Sequence, residues 1–163
     1  MTHFAFTHEF ETDADRYWNV FFDEAYNREL CARLDIKHRD VLVRYEDDAI
    51  IHYEHRVMPR RQLPFVVRQI VRGELGFVEK ATFYKAKSYM DVTIEPTLFK
   101  DRTDVRATYS VVTIAPGRVQ RTYEGDVNID MPMLGHTIEA ALLADARRAF
   151  DIAAVVTQEW LAA

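Results

Sequence analysis

Glu79, His55, Arg121 and a group of tyrosines are the side chains of this sequence best suited to chemistry. Period-two alternation places Ile51, Tyr53, His55 and Val57 on one strand face, and Phe77, Glu79, Ala81 and Phe83 on another. The same rule groups Val105, Ala107, Tyr109 and Val111, and then Val119, Arg121, Tyr123, Gly125 and Val127. A carboxyl, an imidazole, a guanidinium and several phenols among aliphatic neighbours have two uses. They can orient the polar end of an apolar molecule, or move a proton in an aldol or dehydration step. A charge taken out of water is costly unless paired, so Glu79 is expected to pair with Arg121 or with His55. The same residues also fit a structural ion pair at a cavity rim. Because one bulge reverses every face assignment, they fit the outer side of a sheet as well.

Metal and thiol chemistry find less support. Six histidines are present, but His52 and His55 are three apart on one strand and so face opposite sides, and no His-Glu-x-x-His pattern occurs. No metal and no cofactor are expected. Cys31, the lone cysteine, has no histidine near it in sequence to activate it and reads as a packed thiol.

The elements that must position these groups follow from periodicity. His3 to Phe10 alternates as a strand, with Phe4, Phe6, His8 and Phe10 on one face. Thr12 followed by Asp15 predicts an N-cap with an acid in the first turn. Tyr17, Trp18, Phe21, Phe22 and Ala25 then have helical spacing, with a break near Asp23 and a second helix to about Leu34. Strands are predicted at Val41 to Tyr45, Ile50 to Val57, Phe77 to Tyr84, Tyr89 to Glu95, Val105 to Ile114 and Val119 to Ile129. Asp47-Asp48 and Pro116-Gly117 supply hairpin turns, which makes the neighbours antiparallel. Between two strands, Leu63 to Gly73 reads as a short apolar helix with Pro64 at its first position and Gly73 at its end. Its Phe65, Val66, Val67, Ile70 and Val71 cover more than one stripe, so it is either packed or a lid. As a lid it gates a cavity, or touches a membrane while ligand enters, with Arg68 and Arg72 beside lipid head groups. Otherwise it plugs a sheet edge. After Pro132 and Gly135, the positions Leu134, Ile138, Leu142, Ala146, Ala149, Ile152, Val156 and Trp160 mark a long amphipathic helix.

Composition bounds the function classes. The chain has 163 residues, 48% of them hydrophobic and 29% charged, enough for one core and one domain over residues 1–163. Ten Phe and eight Tyr suggest an aromatic-lined interior, or simply a strand-rich chain. A net charge of −5 with scattered basic residues offers no strip to neutralise phosphates, so nucleic acid is not an expected partner. The cluster Arg56, Arg60 and Arg61 reads as a solvated turn. One cysteine, and an opening Met1-Thr2-His3-Phe4 without a signal-peptide pattern, predict a cytoplasmic protein. No apolar run approaches the roughly 20 residues of a membrane-spanning helix.

One strand, a helix pair, an antiparallel meander and a long terminal helix, in that order, resemble the START-like superfamily, which includes polyketide cyclases and the birch-pollen allergen. The resemblance spans the whole chain. It rests on Phe4 to Phe10 with Trp18 and Phe21-Phe22-Asp23-Glu24-Ala25-Tyr26, on Leu63-Pro64 through Gly76-Phe77-Val78-Glu79, and on Pro132-Met133-Leu134-Gly135 leading to Ile138-Glu139. In detail these segments look most like an uncharacterised bacterial branch of that superfamily. The resemblance implies an α+β helix-grip fold, a curved antiparallel β-sheet wrapped around the C-terminal helix, with a cavity for lipids, sterols, quinones or polyketides between them. In such a cavity Tyr53, His55, Phe77, Glu79, Phe83, Tyr109, Arg121 and Tyr123 of the sheet would meet Phe65 and Ile70 of the short helix and Ile138 and Leu142 of the long one.

Three functions remain open on this reading. The first is a carrier or sensor of a hydrophobic small molecule. The second is a cyclase, aromatase or dehydratase using Glu79, His55 and the tyrosines. The third is an interaction module whose cavity is filled by Phe83, Tyr109 and Tyr123 and which keeps an apolar surface patch. Monomer and homodimer fit equally.

Overall fold

The computed structural model describes residues 1–62, 65–69 and 72–163. Its elements are β1 (Thr2–Phe10), α1 (Ala14–Phe21), α2 (Glu24–Arg33), β2 (Ile36–Glu46), β3 (Ile50–Pro59), α3 (Phe65–Arg68), β4 (Phe77–Tyr84), β5 (Tyr89–Pro96), β6 (Thr103–Ala115), β7 (Arg118–Ile129) and α4 (Gly135–Ala162). The strands form one seven-stranded sheet in the order β1-β7-β6-β5-β4-β3-β2, and every paired neighbour is antiparallel. The chain therefore meanders from β2 to β7, and β1 closes the far edge against β7.

Local chemistry sets the helix ends. The Asp13 carboxylate accepts the Arg16 amide at 2.8 Å and so caps α1, and Asp23 does the same for α2 through the Tyr26 amide at 3.0 Å. The cap of α1 is thus Asp13 and not Thr12, whose hydroxyl is buried without a hydrogen-bond partner among the described residues. The break near Asp23 is present because that cap starts a new helix, and the Asn27 amide holds the corner by donating to the carbonyls of Phe21 and Asp23.

β2 begins at Ile36, five residues before the expected Val41. Two register shifts, at Ile36/His38 and Val41/Val43, interrupt its alternation and hide its first half among charged residues. It is an exposed edge strand throughout, with Val41 at 60% and Tyr45 at 52% exposure. At the opposite hairpin Gly117 takes φ +71° between β6 and β7, the left-handed conformation that glycine adopts without strain.

The expected helix from Leu63 to Gly73 is seen as α3 over Phe65–Arg68. Leu63, Pro64, Ile70 and Val71 lie outside the described residues. Phe65 is 67% exposed, so it is not packed as an interior residue would be.

α4 rests on β1 and β7 and is flanked by α1 and α2. Its apolar residues Ile138, Val156 and Leu161 are buried, Leu143, Ala146, Phe150 and Ala154 pack partly buried against the core, and Ala149 and Ile152 of the expected stripe are half-buried flanks. A buried carboxylate fastens its first turns. Glu139, 1% exposed, accepts the Ile129 amide at 2.9 Å and the Thr2 hydroxyl at 2.5 Å, tying α4 to the ends of β7 and β1. Those bonds outweigh the cost of burial and hold its carboxyl below the usual range. Among the described residues no helix is long and apolar enough to cross a membrane.

Candidate functional site

Register divides the concave face into rows that run across the strands. One row is aromatic: Phe83, Met90, Tyr109 and Tyr123 sit opposite one another on β4 to β7, with Phe6 next on β1. The next row is small, made of Ala81, Val92, Ala107 and Gly125. A Cβ at Gly125 would collide with the Arg106 carbonyl and the Ala107 backbone, so glycine is required there. The third row runs His55, Glu79, Ile94, Val105 and Val127.

The aromatic end is filled. Trp18 of α1 lies 4.4 Å from Phe83 between ring centroids and donates its indole N–H to the Ser88 hydroxyl at 2.6 Å. Tyr123 stacks on Phe150 of α4 at 4.5 Å, and the hydroxyls of Tyr109 and Tyr17 are hydrogen-bonded. Phe83, Tyr109 and Tyr123, expected to line a cavity, are therefore members of the packed core. Arg121 joins them at 1% exposure between the rings of Phe10 and Phe150. It does not pair with Glu79. Its guanidinium donates to His8 Nδ1 at 2.8 Å, to the Phe150 carbonyl at 3.1 Å and to the Tyr17 hydroxyl at 3.5 Å. His8 in turn meets Asp151 at 2.9 Å on the surface, so a neutral ring stands between the buried cation and its distant counter-charge. Burial first, then the Arg121 charge, hold His8 below its ordinary pKa, against the raising effect of Asp151.

Towards the other end of the strands burial relaxes. Phe77, Glu79, Ile94 and Val105 face inward yet are only half-buried, as are Leu142 and Leu143 on the N-terminal half of α4. Ile138 is buried with Val127 and Ile129 in a separate apolar cluster that includes Leu98, Phe99 and Leu134 at this end.

The polar residues meet beside these half-buried positions. His55 and Glu79 are opposite one another on β3 and β4 but are not ion-paired. His55 instead accepts a hydrogen bond at Nδ1 from Arg39 of β2, at 2.9 Å, and stacks on Tyr53 at 4.5 Å. Burial, then the charges of Arg39 and Arg44, push the imidazole down to about 4, so it is neutral. Burial pushes the Glu79 carboxyl up, opposed by the Tyr53 hydroxyl and the Arg39 charge. Tyr53 is driven well above the phenol range by burial and then by Glu79. Tyr123, across the concavity, is raised by the same two causes. Arg39 escaped sequence reasoning because it lies in the irregular half of β2, where no alternation assigns it a face. Ile70, the last of the expected ligand contacts, lies outside the described residues, and Phe65 is on the surface.

The sequence profile of a family described as Protein of unknown function (DUF2505) matches residues 5–161. The chain belongs to this family. No protein of curated function matches it. Solved structures with the same architecture share little sequence with this DUF2505 chain. A START superfamily protein from Mycobacterium smegmatis superposes with a TM-score of 0.64 at 18% identity, covering 98% of each chain. The Zhui aromatase/cyclase from Streptomyces sp. R1128 gives 0.66 at 10% identity, over 98% of this chain and 95% of that one. A protein from Thermus thermophilus gives 0.66 at 8%, over 97% and 95%. The fold of this DUF2505 member is the START-like helix grip, as its element order led one to expect.

Proposed function

We propose that this protein binds a hydrophobic small molecule between the concave face of β4 to β6 and the N-terminal half of α4, and holds it without altering it. The observation that carries this reading is the row Glu79, Ile94 and Val105, whose side chains face inward yet stay half-buried, with Tyr53, His55 and Arg39 grouped at its margin. A greasy trough with a few polar groups at one end suits a ligand that is apolar along its length and polar at its tip. Likeness to a START superfamily protein and to an aromatase/cyclase supports a cleft of this class, while identities of 18% and 10% carry no substrate with them. We place the protein in the cytoplasm, in keeping with its single cysteine. Phe65, exposed beside Arg68 on α3, supports a transient contact with a membrane as ligand enters.

Native mass spectrometry of the purified protein, followed by denaturing extraction, tests the reading. A retained hydrophobic species is the expected result, with occupancy falling at least tenfold in Tyr53→Ala and Glu79→Ala. A protein that stays empty and takes up no added apolar probe would overturn it. A second reading, a cyclase or dehydratase, has one observation in its favour: burial favours the protonated Glu79 carboxyl, the form a general acid needs. Recovery of the extracted ligand unchanged after incubation with fresh protein would remove it.

A further inference from the structure

The whole chain carries a net charge of −5, yet the charges facing the concave side are mostly positive. Arg39 and Arg44 come from β2, Arg121 from β7, and the opposing carboxyl is Glu79 of β4. Two of the three cations are already engaged. Arg121 is enclosed by Tyr17, His8 and the Phe150 carbonyl, and Arg44 lies 5.9 Å over the Phe22 ring. Arg39, exposed like nearly all of β2, is different in reaching inward to the polar group through His55. That contact uses one terminal nitrogen of a fork with five N–H groups, so donors suited to a planar, two-oxygen acceptor remain.

The partners of Arg39 point the same way. His55 accepts at Nδ1, so its neutral ring carries its proton on Nε2 and is a second donor. The Tyr53 hydroxyl lies beside them but is already engaged, donating to the Met90 sulfur at 3.5 Å. The remaining acceptor is Glu79, which faces Tyr53 and His55 of β3, Arg39 of β2, Tyr123 of β7 and the uncharged Ile94 of β5. Once protonated, Glu79 too becomes a donor and ceases to repel an anion.

We propose that the cleft selects an amphiphile with a carboxylate head, held by the Arg39 guanidinium beside His55 and Tyr53, with its apolar body along Phe77, Ile94 and Leu142. The inference rests on the ligand-binding reading above and adds the chemical class of the ligand. Binding of the anion favours protonation of Glu79, so affinity for the carboxylate rises as pH falls through the titration of Glu79. In that direction a carboxyl raised by burial gains its proton and its repulsion disappears.

Fluorescence titration with cis-parinaric acid and with its methyl ester tests this. The acid is expected to bind at least tenfold more tightly than the ester. Arg39→Gln, a change at an exposed position, should abolish the preference for the acid and bring the two to equal affinity. Glu79→Gln should bind the acid several-fold more tightly than wild type at pH 7.5 and flatten the pH dependence. Equal binding of acid and ester by the wild-type protein, or an acid preference that survives Arg39→Gln, would overturn the carboxylate head while leaving the cleft in place. Binding of neither probe would sink the cleft itself.

Discussion

At the scale of single residues, the polar side chains of the concave face are held in states that cost stability. His55 is 7% exposed and its pKa is lowered to about 4 from the 6.5 of a free imidazole. Between those values the unfolded chain takes up a proton that the fold refuses. The stability His55 contributes is therefore complete above about pH 6.5 and is lost as pH falls towards 4. The full shift corresponds to at most about 3 kcal/mol. Urea unfolding at pH 7.5 and pH 4.5 should show His55→Gln losing about 2 kcal/mol less than wild type on acidification. Equal losses would mean that His55 titrates normally. His8, also lowered, acts with the same sign in both proteins and cancels in the comparison. The inward direction of Tyr53, His55, Glu79 and Arg121 was legible in their alternation. Their partners were not, because Arg39, His8 and Tyr17 come from distant strands and a helix whose approach only packing defines.

At the scale of elements, the sequence announces starts and turns more clearly than caps and irregular strands. Asp13 caps α1 where Thr12 was expected, and the two residues differ in what they touch. Asp13→Ala should cost about 1 kcal/mol through loss of the bond to the Arg16 amide. Thr12→Val, which removes a buried hydroxyl with no partner, should be neutral or slightly stabilising. Chemical denaturation of the two variants decides the matter, and the reverse ranking would return the cap to Thr12. β2 illustrates the opposite difficulty. Its two bulges break the period on which a strand is recognised, and its exposed edge lacks the buried face that makes a pattern visible. α4 was plain as a helix, and Ile138, Leu142, Ala146 and Val156 of its expected stripe do face the core, but the covered face is wider and also takes in Leu143, Phe150, Ala154 and Leu161. Apolar residues surround much of that helix, and the sheet beneath decides which of them are covered.

For the molecule as a whole, one end of the sheet-helix space is solid with aromatic rings, and towards the other the inward-facing Phe77, Glu79, Ile94 and Val105 are only half-buried beside a group of polar side chains. That division predicts a measurable linkage. An acidic amphiphile at one hundred times its dissociation constant should stabilise the folded protein by about 2.7 kcal/mol, seen as a higher urea midpoint. Arg39→Gln should remove most of that gain for the acid and leave the acid no more stabilising than its ester. A midpoint unmoved by saturating acid would show that the space is closed. By itself the sequence determined the order of the elements, the antiparallel meander and the inward faces of β3, β4, β6 and β7, because each follows from local periodicity and turn chemistry, while the START-like grip was implied by the resemblance that this order and its motifs carry. Only the tertiary structure decided that Phe83, Tyr109 and Tyr123 are core, that Arg121 donates to His8 and Tyr17, and that half-buried Glu79 lies beside Tyr53 and Arg39. Those outcomes depend on cross-strand register and on where α1 and α4 settle, and contacts between residues so far apart in the chain leave no periodic trace in it.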